Sequence, residues 1–497
     1  MPQALLYPKF KALNHAGQPL SGGKVYTYIP GTSSAKATYP TAADATAGTN
    51  ANANPVVLDA DGEADLHFNG SLKIVLKDAS DVTQWTLDNI EGTGKLDMGY
   101  YMLSDYDDLA AAATALNALN ADCTLVIDED CTMDESVSFD AEVSIKPISG
   151  NVITLGAYNL TINGPIEATD FQWISATSTG DFITSGYYNV QWLGGDAAAV
   201  VKISNDVTAN SIDNVYVYFP QGDYTLEATE TALGGAAVSD CGSIWSGLDN
   251  LTIDFKSATL KQTVASAGEA TGGVFEIYNC TNVRIIGGLF KGYSNSPAWG
   301  NNLVRIDGTS SNIEVFSHMD GGNSLAYIIS SDGTSSGTKP FNTFVKGIVK
   351  DAQYGIHYKF AGSGHQFDII ASEDVYRGIF IKSTSNIIGN FQVFNVRNNV
   401  VNIQAEDSID MERININITG DTNSGGVRIG VSDANAANIR SINISGNLEV
   451  NTPISAGSNY GFDIEAIGHV NTVIEDIDLS GLTIQVDNVA SRAVYIY

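Results

Sequence analysis

The sequence predicts an all-β protein: a right-handed parallel β-helix, preceded by a small antiparallel β domain and a short neck helix. Three observations predict it. From Gly273 onward an apolar–any–apolar triplet keeps returning: Phe275-Glu276-Ile277, Val304-Arg305-Ile306, Tyr327-Ile328-Ile329, Ile356-His357-Tyr358, Ile379-Phe380-Ile381, Val401-Asn402-Ile403, Val427-Arg428-Ile429, Phe462-Asp463-Ile464 and Val494-Tyr495-Ile496. Period-two alternation marks strands with one face in and one face out. Successive triplets begin 22 to 35 positions apart, the period of stacked repeats too short to close a core singly. The connections are rich in Gly, Asn, Asp and Ser and lack amphipathic helical runs, which favours turns over βαβ crossovers. The right hand follows from the general preference of parallel crossovers. Between the triplets runs a second strand series at Ile313–Val315, Phe367–Ile369, Phe391–Val393, Ile414–Ile418 and Ile442–Ile444.

Composition fits this class. Charged residues make up 16% of the 497, the formal charge is −31 and the pI is near 4.3. Such a field disfavours nucleic acid and anionic membrane as general partners. Cys123, Cys131, Cys241 and Cys280 show no CxxC or metal spacing, and the six histidines make no zinc motif; free thiols, and neither metal nor cofactor, are expected. Met1-Pro2-Gln3-Ala4 does not open a signal peptide, and no run of 18 apolar residues occurs, so a soluble product that is not exported by the standard route is expected.

Residues 1–90 read as the antiparallel domain. Gly22-Gly23 turns into a strand at Lys24–Tyr28, and a Gly/Thr/Ala/Asn-rich loop spans Gly31–Asn54. Further strands are expected at Ala64–Phe68, Leu72–Leu76 and Gln84–Leu87. Over 91–122 the pattern changes. Ser104 and Asp107 have capping-box spacing, and Leu109, Ala112, Ala113, Leu116 and Leu119 fall near a 3.6 period. That helix could form a trimeric neck or cap the end of the β-helix. Residues 123–497 read as the β-helix, opening with strands at Thr124–Ile127, Val137–Phe139, Val143–Ile145, Val152–Leu155 and Leu160–Ile162.

Several words in the first 90 residues, Tyr7-Pro8-Lys9-Phe10, Pro19 to Tyr28, Asn54 to Gly62, Leu72 to Asp78 and Trp85 to Ile90, together resemble the N-terminal particle-binding domain of bacteriophage tailspikes. Farther on, Trp192-Leu193-Gly194-Gly195-Asp196, a short Ala-rich helix and Phe219-Pro220-Gln221-Gly222-Asp223-Tyr224 resemble the pectate-lyase-like start of a tailspike β-helix. Here the acidic loop usual before the helix is reduced to Asp196. The resemblance implies a homotrimer that assembles in the host cytoplasm and joins the virion tail or baseplate through residues 1–90. It also implies recognition of host capsule or lipopolysaccharide, often with depolymerase activity by hydrolysis or lyase chemistry.

Two constellations are candidates for chemistry. Asp320, Asp351, Asp374 and Asp421 follow the second strand series at one turn position, with Glu373 beside Asp374. Stacked coils repeat about every 4.8 Å, which would bring carboxylates to the separations of retaining or inverting glycosidases. Like charges so close raise the pKa of one member, as a general acid requires. Asp also simply suits such a turn, as Asn398 does in the coil between Asp374 and Asp421. Alternation points Glu276, Arg305, Asp307, His357, Lys359, Phe380 and Lys382 away from the core, and Tyr293 and Trp299 lie in the loop Gly292–Gly300. Mixed charge with exposed aromatics suits sugar hydroxyls and rings; a solvated face or a subunit contact would use the same residues. Gly333-Thr334-Ser335-Ser336-Gly337 fits the GxSxG string, but Lys339-Pro340 follows where that motif needs a helix.

Overall fold

The computed structural model describes residues 3–4, 9–14, 17–91, 99–226, 230–231, 240–241, 243–262, 273–292, 302–321, 325–330, 338–406, 409–422, 425–431, 437–450, 460–465, 473–486 and 492–496. The chain divides into two compact units, Met1–Tyr100 and Tyr101–Tyr497.

In the first unit an antiparallel sheet runs in the order Val56–Val57, Lys24–Tyr28, Ser71–Lys77, Thr83–Glu91. The strand Ser71–Lys77 alternates half-buried and buried residues, and Leu72, Ile74 and Leu76 enter a core with Phe10, Val25, Leu58 and Phe68. Two findings differ from expectation. The strand foreseen at Ala64–Phe68 is two short pieces, Glu63–Ala64 and His67–Phe68, and the loop after Gly31 holds a helix, α1, at Ala42–Ala47. Its caps explain it. The Thr41 side chain accepts from the Asp44 N–H, and Gly48 closes it in the left-handed region with φ 66°.

The second unit opens with α2 at Leu109–Asn117, which is capped by Asp108, whose carboxylate accepts from Ala111 N–H at 2.7 Å. Ser104 is not the cap, because its N–H and hydroxyl are held by Asp128 at 3.0 and 2.6 Å. Leu109, Ala112, Ala113 and Leu116 are buried in the same continuous core as the coils that follow. The Ala-rich face is therefore packed inside its own chain. A third helix, α3, spans Ala197–Ala209 and starts at Asp196, which accepts from Ala199 N–H.

From Tyr187 to Ile496 the chain winds a parallel β-helix. Sheet A has thirteen described strands, following the path Tyr187–Asn189, Tyr216–Tyr218, Thr252–Gln262, Thr281–Lys291, Ser311–Asp320, Phe341–Lys350, His365–Glu373, Ile387–Val396, Met411–Thr422, Asn438–Val450 and Val473–Asp478, with Asp223–Leu226 and Leu482–Val486 pairing alongside. Sheet B has ten: Ile244–Ser246, Gly273–Tyr278, Asn302–Asp307, Leu325–Ser330, Tyr354–Lys359, Arg377–Lys382, Val401–Ala405, Val427–Val431, Tyr460–Glu465 and Arg492–Ile496. The nine triplets of the sequence pair in order, Phe275 on Val304 and onward through Tyr327, Ile356, Ile379, Val401, Val427, Phe462 and Val494, and the side chains of Phe275, Val304, Ile356, Ile379, Val401, Val427 and Phe462 are buried in one file. Facing it, Ile285, Val315, Val345, Phe367, Gly389, Ile416 and Ile444 make a file in sheet A. Gly389 is needed there because the Phe367 ring fills its place; a Cβ would lie 2.3 Å from that ring. Burying each large apolar side chain contributes about 1.5–3 kcal/mol, so the stacked files supply the cohesion that no single coil has.

Sheet A departs from expectation in two ways. Its strands run to 13 residues, well beyond the triplets that mark them. It also contains Phe341–Lys350, which alternation does not reveal because Gly347 and the 37%-exposed Ile348 interrupt the pattern. Chain direction into sheet A is set by Asn250, Asn282, Asn312 and Asn342, all with φ between 49° and 57°. Asn tolerates that region, and the amides bond down the stack, Asn312 Nδ2 to Asn282 Oδ1 at 3.0 Å and Asn342 Nδ2 to Asn312 Oδ1 at 3.3 Å.

Candidate functional site

Three strands of sheet A, ending at Asp320, Lys350 and Glu373, turn toward sheet B at one corner. The structure brings all four candidate acids there, but in a different register from the one expected. Asp320 stands opposite Lys350, and Lys350 opposite Glu373. Gly321 N–H bonds Lys350 O and Asp351 N–H bonds Glu373 O, each at 2.9 Å. Asp351 thus lies one residue beyond the rung of Asp320, and it matches Asp374; both take the left-handed backbone, φ 49° and 48°. Asp421, a further member of the expected file, stands opposite Glu449 inside a strand.

Cations answer two of the acids. Lys350 Nζ is 3.4 Å from Asp320, and Arg397 grips Asp374 with both nitrogens, Nη2 at 2.6 Å and Nε at 3.0 Å. Among the described residues Asp351 makes no side-chain hydrogen bond or ion pair. Partial burial raises its pKa, and the carboxylates of Asp320 and Asp374 add to the rise. Glu373 is exposed. Asp351 is therefore the group at this corner best suited to carry a proton.

Beside the acids, sheet B begins with residues that the sequence did not single out. Tyr354 and Arg377 are paired across adjacent strands, and Arg377 Nη1 donates to Tyr354 Oη at 2.5 Å. The Arg377 guanidinium also lies 5.7 Å from the ring centres of Tyr376 and Phe380. Tyr376 is 37% exposed and sits two residues after Asp374. Their signal was the coil spacing itself: Arg377 follows Tyr354 as Ile379 follows Ile356.

The second constellation is corrected. Glu276, Arg305, His357 and Phe380 do form one outward file of sheet B, with Ile328 between Arg305 and His357. That face is closed, however. Glu276 and Asp307 are 0% exposed, Arg305 2% and Phe380 8%. Alternation settles which side of a strand a residue takes; whether that side meets water depends on what packs over it. Arg305 joins its two carboxylates, Nε lying 3.7 Å from Glu276 and 3.0 Å from Asp307. Phe380 stacks on His357 at 4.8 Å and on Tyr354 at 5.6 Å, so its faces are not open to a sugar. Burial drives the His357 pKa down to about 3, which keeps the ring neutral and removes it as an acid or base near neutral pH. Tyr293 and Trp299 lie outside the described residues, as does the GxSxG string.

Along the outer face of sheet A, a groove of about 470 Å³ is lined by the asparagine stack with Arg284, Glu314 and Phe344. Among the described residues no helix is long and apolar enough to cross a membrane.

No protein-family model and no curated protein sequence matches this chain. Solved structures are similar in fold. One is the catalytic domain of a GH87 α-1,3-glucanase in complex with nigerose, 12% identical over 97% of this chain and 88% of that one, with a TM-score of 0.32. Another is the Streptococcus pneumoniae surface protein and adhesin PfbA, at 10% identity, 80% and 99% coverage and a TM-score of 0.31. The receptor-binding protein of bacteriophage Det7, a podoviral tailspike in a myovirus, is 14% identical over 69% and 73%, with a TM-score of 0.21. At these identities and scores no residue role and no activity passes to this chain.

Proposed function

We propose that this chain is a bacteriophage tailspike whose β-helix recognises and cleaves a bacterial surface polysaccharide, capsule or lipopolysaccharide, by glycosidase-type acid–base chemistry. The observation that carries the reading is the Asp351 carboxyl. It stands among three other acids without an ion pair of its own among the described residues, its pKa raised by burial and like charge against the opposing pull of Lys350, beside an exposed tyrosine and an arginine. In this reading Asp351 donates the proton to the leaving oxygen, and Glu373, on the adjacent coil, serves as base or nucleophile. Residues 1–90 attach the spike, as a trimer, to the virion tail; the resemblance of those residues supports this part. A non-catalytic adhesin is the second reading, favoured by the ion pairs that hold Asp320 and Asp374.

Incubating the purified chain with bacterial capsule or lipopolysaccharide and assaying reducing ends separates the readings. The expected result is new reducing ends, lost roughly 100-fold or more in Asp351→Asn. Binding without new ends would favour the adhesin, and unsaturated products would indicate a lyase. Undiminished digestion by an Asp351→Asn, Glu373→Gln double variant would end the catalytic assignment. Asp320→Asn removes one like charge, so the alkaline limb of the pH–rate profile should move to lower pH. Sedimentation tests the trimer.

A further inference from the structure

A second cleft lies on the outer face of sheet A, at its first coils. Strands Tyr187–Asn189, Tyr216–Tyr218 and Thr252–Gln262 stack so that Tyr187 opposes Tyr216 and Tyr218 opposes Asp254. Tyr188, Val217 and Ile253 point inward and are fully buried, so the intervening tyrosines are turned outward. The rings of Tyr187 and Tyr216 are 5.8 Å apart and 10° from parallel. Tyr187 is also braced edge-on by Trp192 at 5.5 Å, yet it remains 42% exposed. The result is an open cleft of about 500 Å³ lined by Asp170, Tyr187, Tyr216, Tyr218 and Lys256.

Its polar groups are fixed in place. Tyr216 Oη donates to Asp254 Oδ2 at 2.5 Å, and Asn189 Nδ2 donates to Asp170 Oδ1 at 2.8 Å. Lys256 sits at a β-bulge with φ 44°, its N–H bonded to Asp254 Oδ1 at 3.0 Å. A non-glycine residue in that region is costly, and bulges re-aim side chains. Here the bulge places the Lys256 ammonium 4.5 Å from the centre of the Tyr218 ring and 3.3 Å from its hydroxyl.

We propose that this cleft is a binding subsite for a neutral pyranose unit of a polysaccharide. The exposed Tyr187 ring, with the half-buried Tyr216 and Tyr218 beside it, covers the C–H face of a sugar ring, and the carboxylates and ammonium meet its hydroxyls. Asp170 in the lining and Asp254, bonded to Tyr216 beside it, stand against a single Lys256, and this negative balance disfavours a uronate. The inference rests on the polysaccharide reading above, but it is independent of the acidic corner and requires no cleavage.

The test is binding of the full chain to an array of purified bacterial capsular and O-chain polysaccharides, neutral and uronate-containing. We expect retention of a neutral polysaccharide, weakened about tenfold by Tyr187→Ala and by Tyr218→Ala and restored by Tyr187→Trp, with melting temperatures unchanged. Equal binding by wild type and both alanine variants overturns the subsite while leaving polysaccharide recognition intact. Preference for uronates also overturns it. Dissociation of the assembly in the tyrosine variants, with binding unchanged, would assign the face to a second copy of the chain. Retention of no polysaccharide by the wild type would refute the wider reading and this one with it.

Discussion

Arg284 and Arg305 occupy the same kind of place in the two sheets. Each is on an outward file, opposite a glutamate on the adjacent strand: Arg284 faces Glu314 and Arg305 faces Glu276. The pair in sheet A is open, with side chains 54% and 48% exposed and 3.2 Å between Nε and Oε2. The pair in sheet B is closed, at 2% and 0%, and needs Asp307 as a second acceptor. The same residues on the same lattice thus have different energetics. An exposed pair is screened by water, whereas a buried one holds charges that cannot be left alone. A face that keeps its charges hydrated is available to a ligand, and one that buries them serves as a structural clamp.

The largest effect should come from breaking the closed pair. Arg305→Ala leaves Glu276 and Asp307 in the interior without it, and denaturant unfolding should show a loss of about 3–5 kcal/mol. A loss near that of an exposed pair would place sheet B's face in water and remove the contrast. A smaller effect is expected at a second buried pair, where Lys202 Nζ lies 2.9 Å from Asp206 on α3. Burial outweighs the lysine and lifts the Asp206 pKa to about 6, from an ordinary 3.8. The folded state therefore holds a proton that the unfolded chain has released. Stability contributed by this group is full below pH ~4 and is lost as pH rises to about 6, by roughly 3 kcal/mol. Unfolding measured at intervals from pH 4 to 7 should show this slope in the wild type and not in Asp206→Asn; parallel curves would refute it. The smallest effect belongs to Arg284→Ala, at most about 1 kcal/mol and shrinking as salt is added. A larger, salt-insensitive loss would mean that sheet A's face is covered too.

How far the chain can be read without coordinates differs along the same coils. The nine triplets from Phe275 to Val494 pair in the order and register that alternation implies, because a buried Ile or Val file tolerates no slip. The acidic corner does not follow so simply. Asp320, Asp351 and Asp374 are similarly spaced from their strands, yet a one-residue difference in the turn sets Asp320 against Lys350 and leaves Asp351 above Asp374. Turn residues bury little, so nothing in composition fixes their rung. Ser104 shows the same weakness at a helix start: its spacing suits a cap, but Asp128, 24 residues on, takes its hydrogen bonds.

By itself the sequence determined the winding of this protein, since period-two apolar files and turn-forming connections leave a stacked parallel lattice as the way to bury them. It also determined which side of each strand a residue takes. Only the tertiary structure decided which outward sides stay in water, which acids meet a cation, and where three tyrosines from two successive turns share a cleft. Those outcomes depend on what lies across space from a side chain, and period and spacing along the chain hold no record of it.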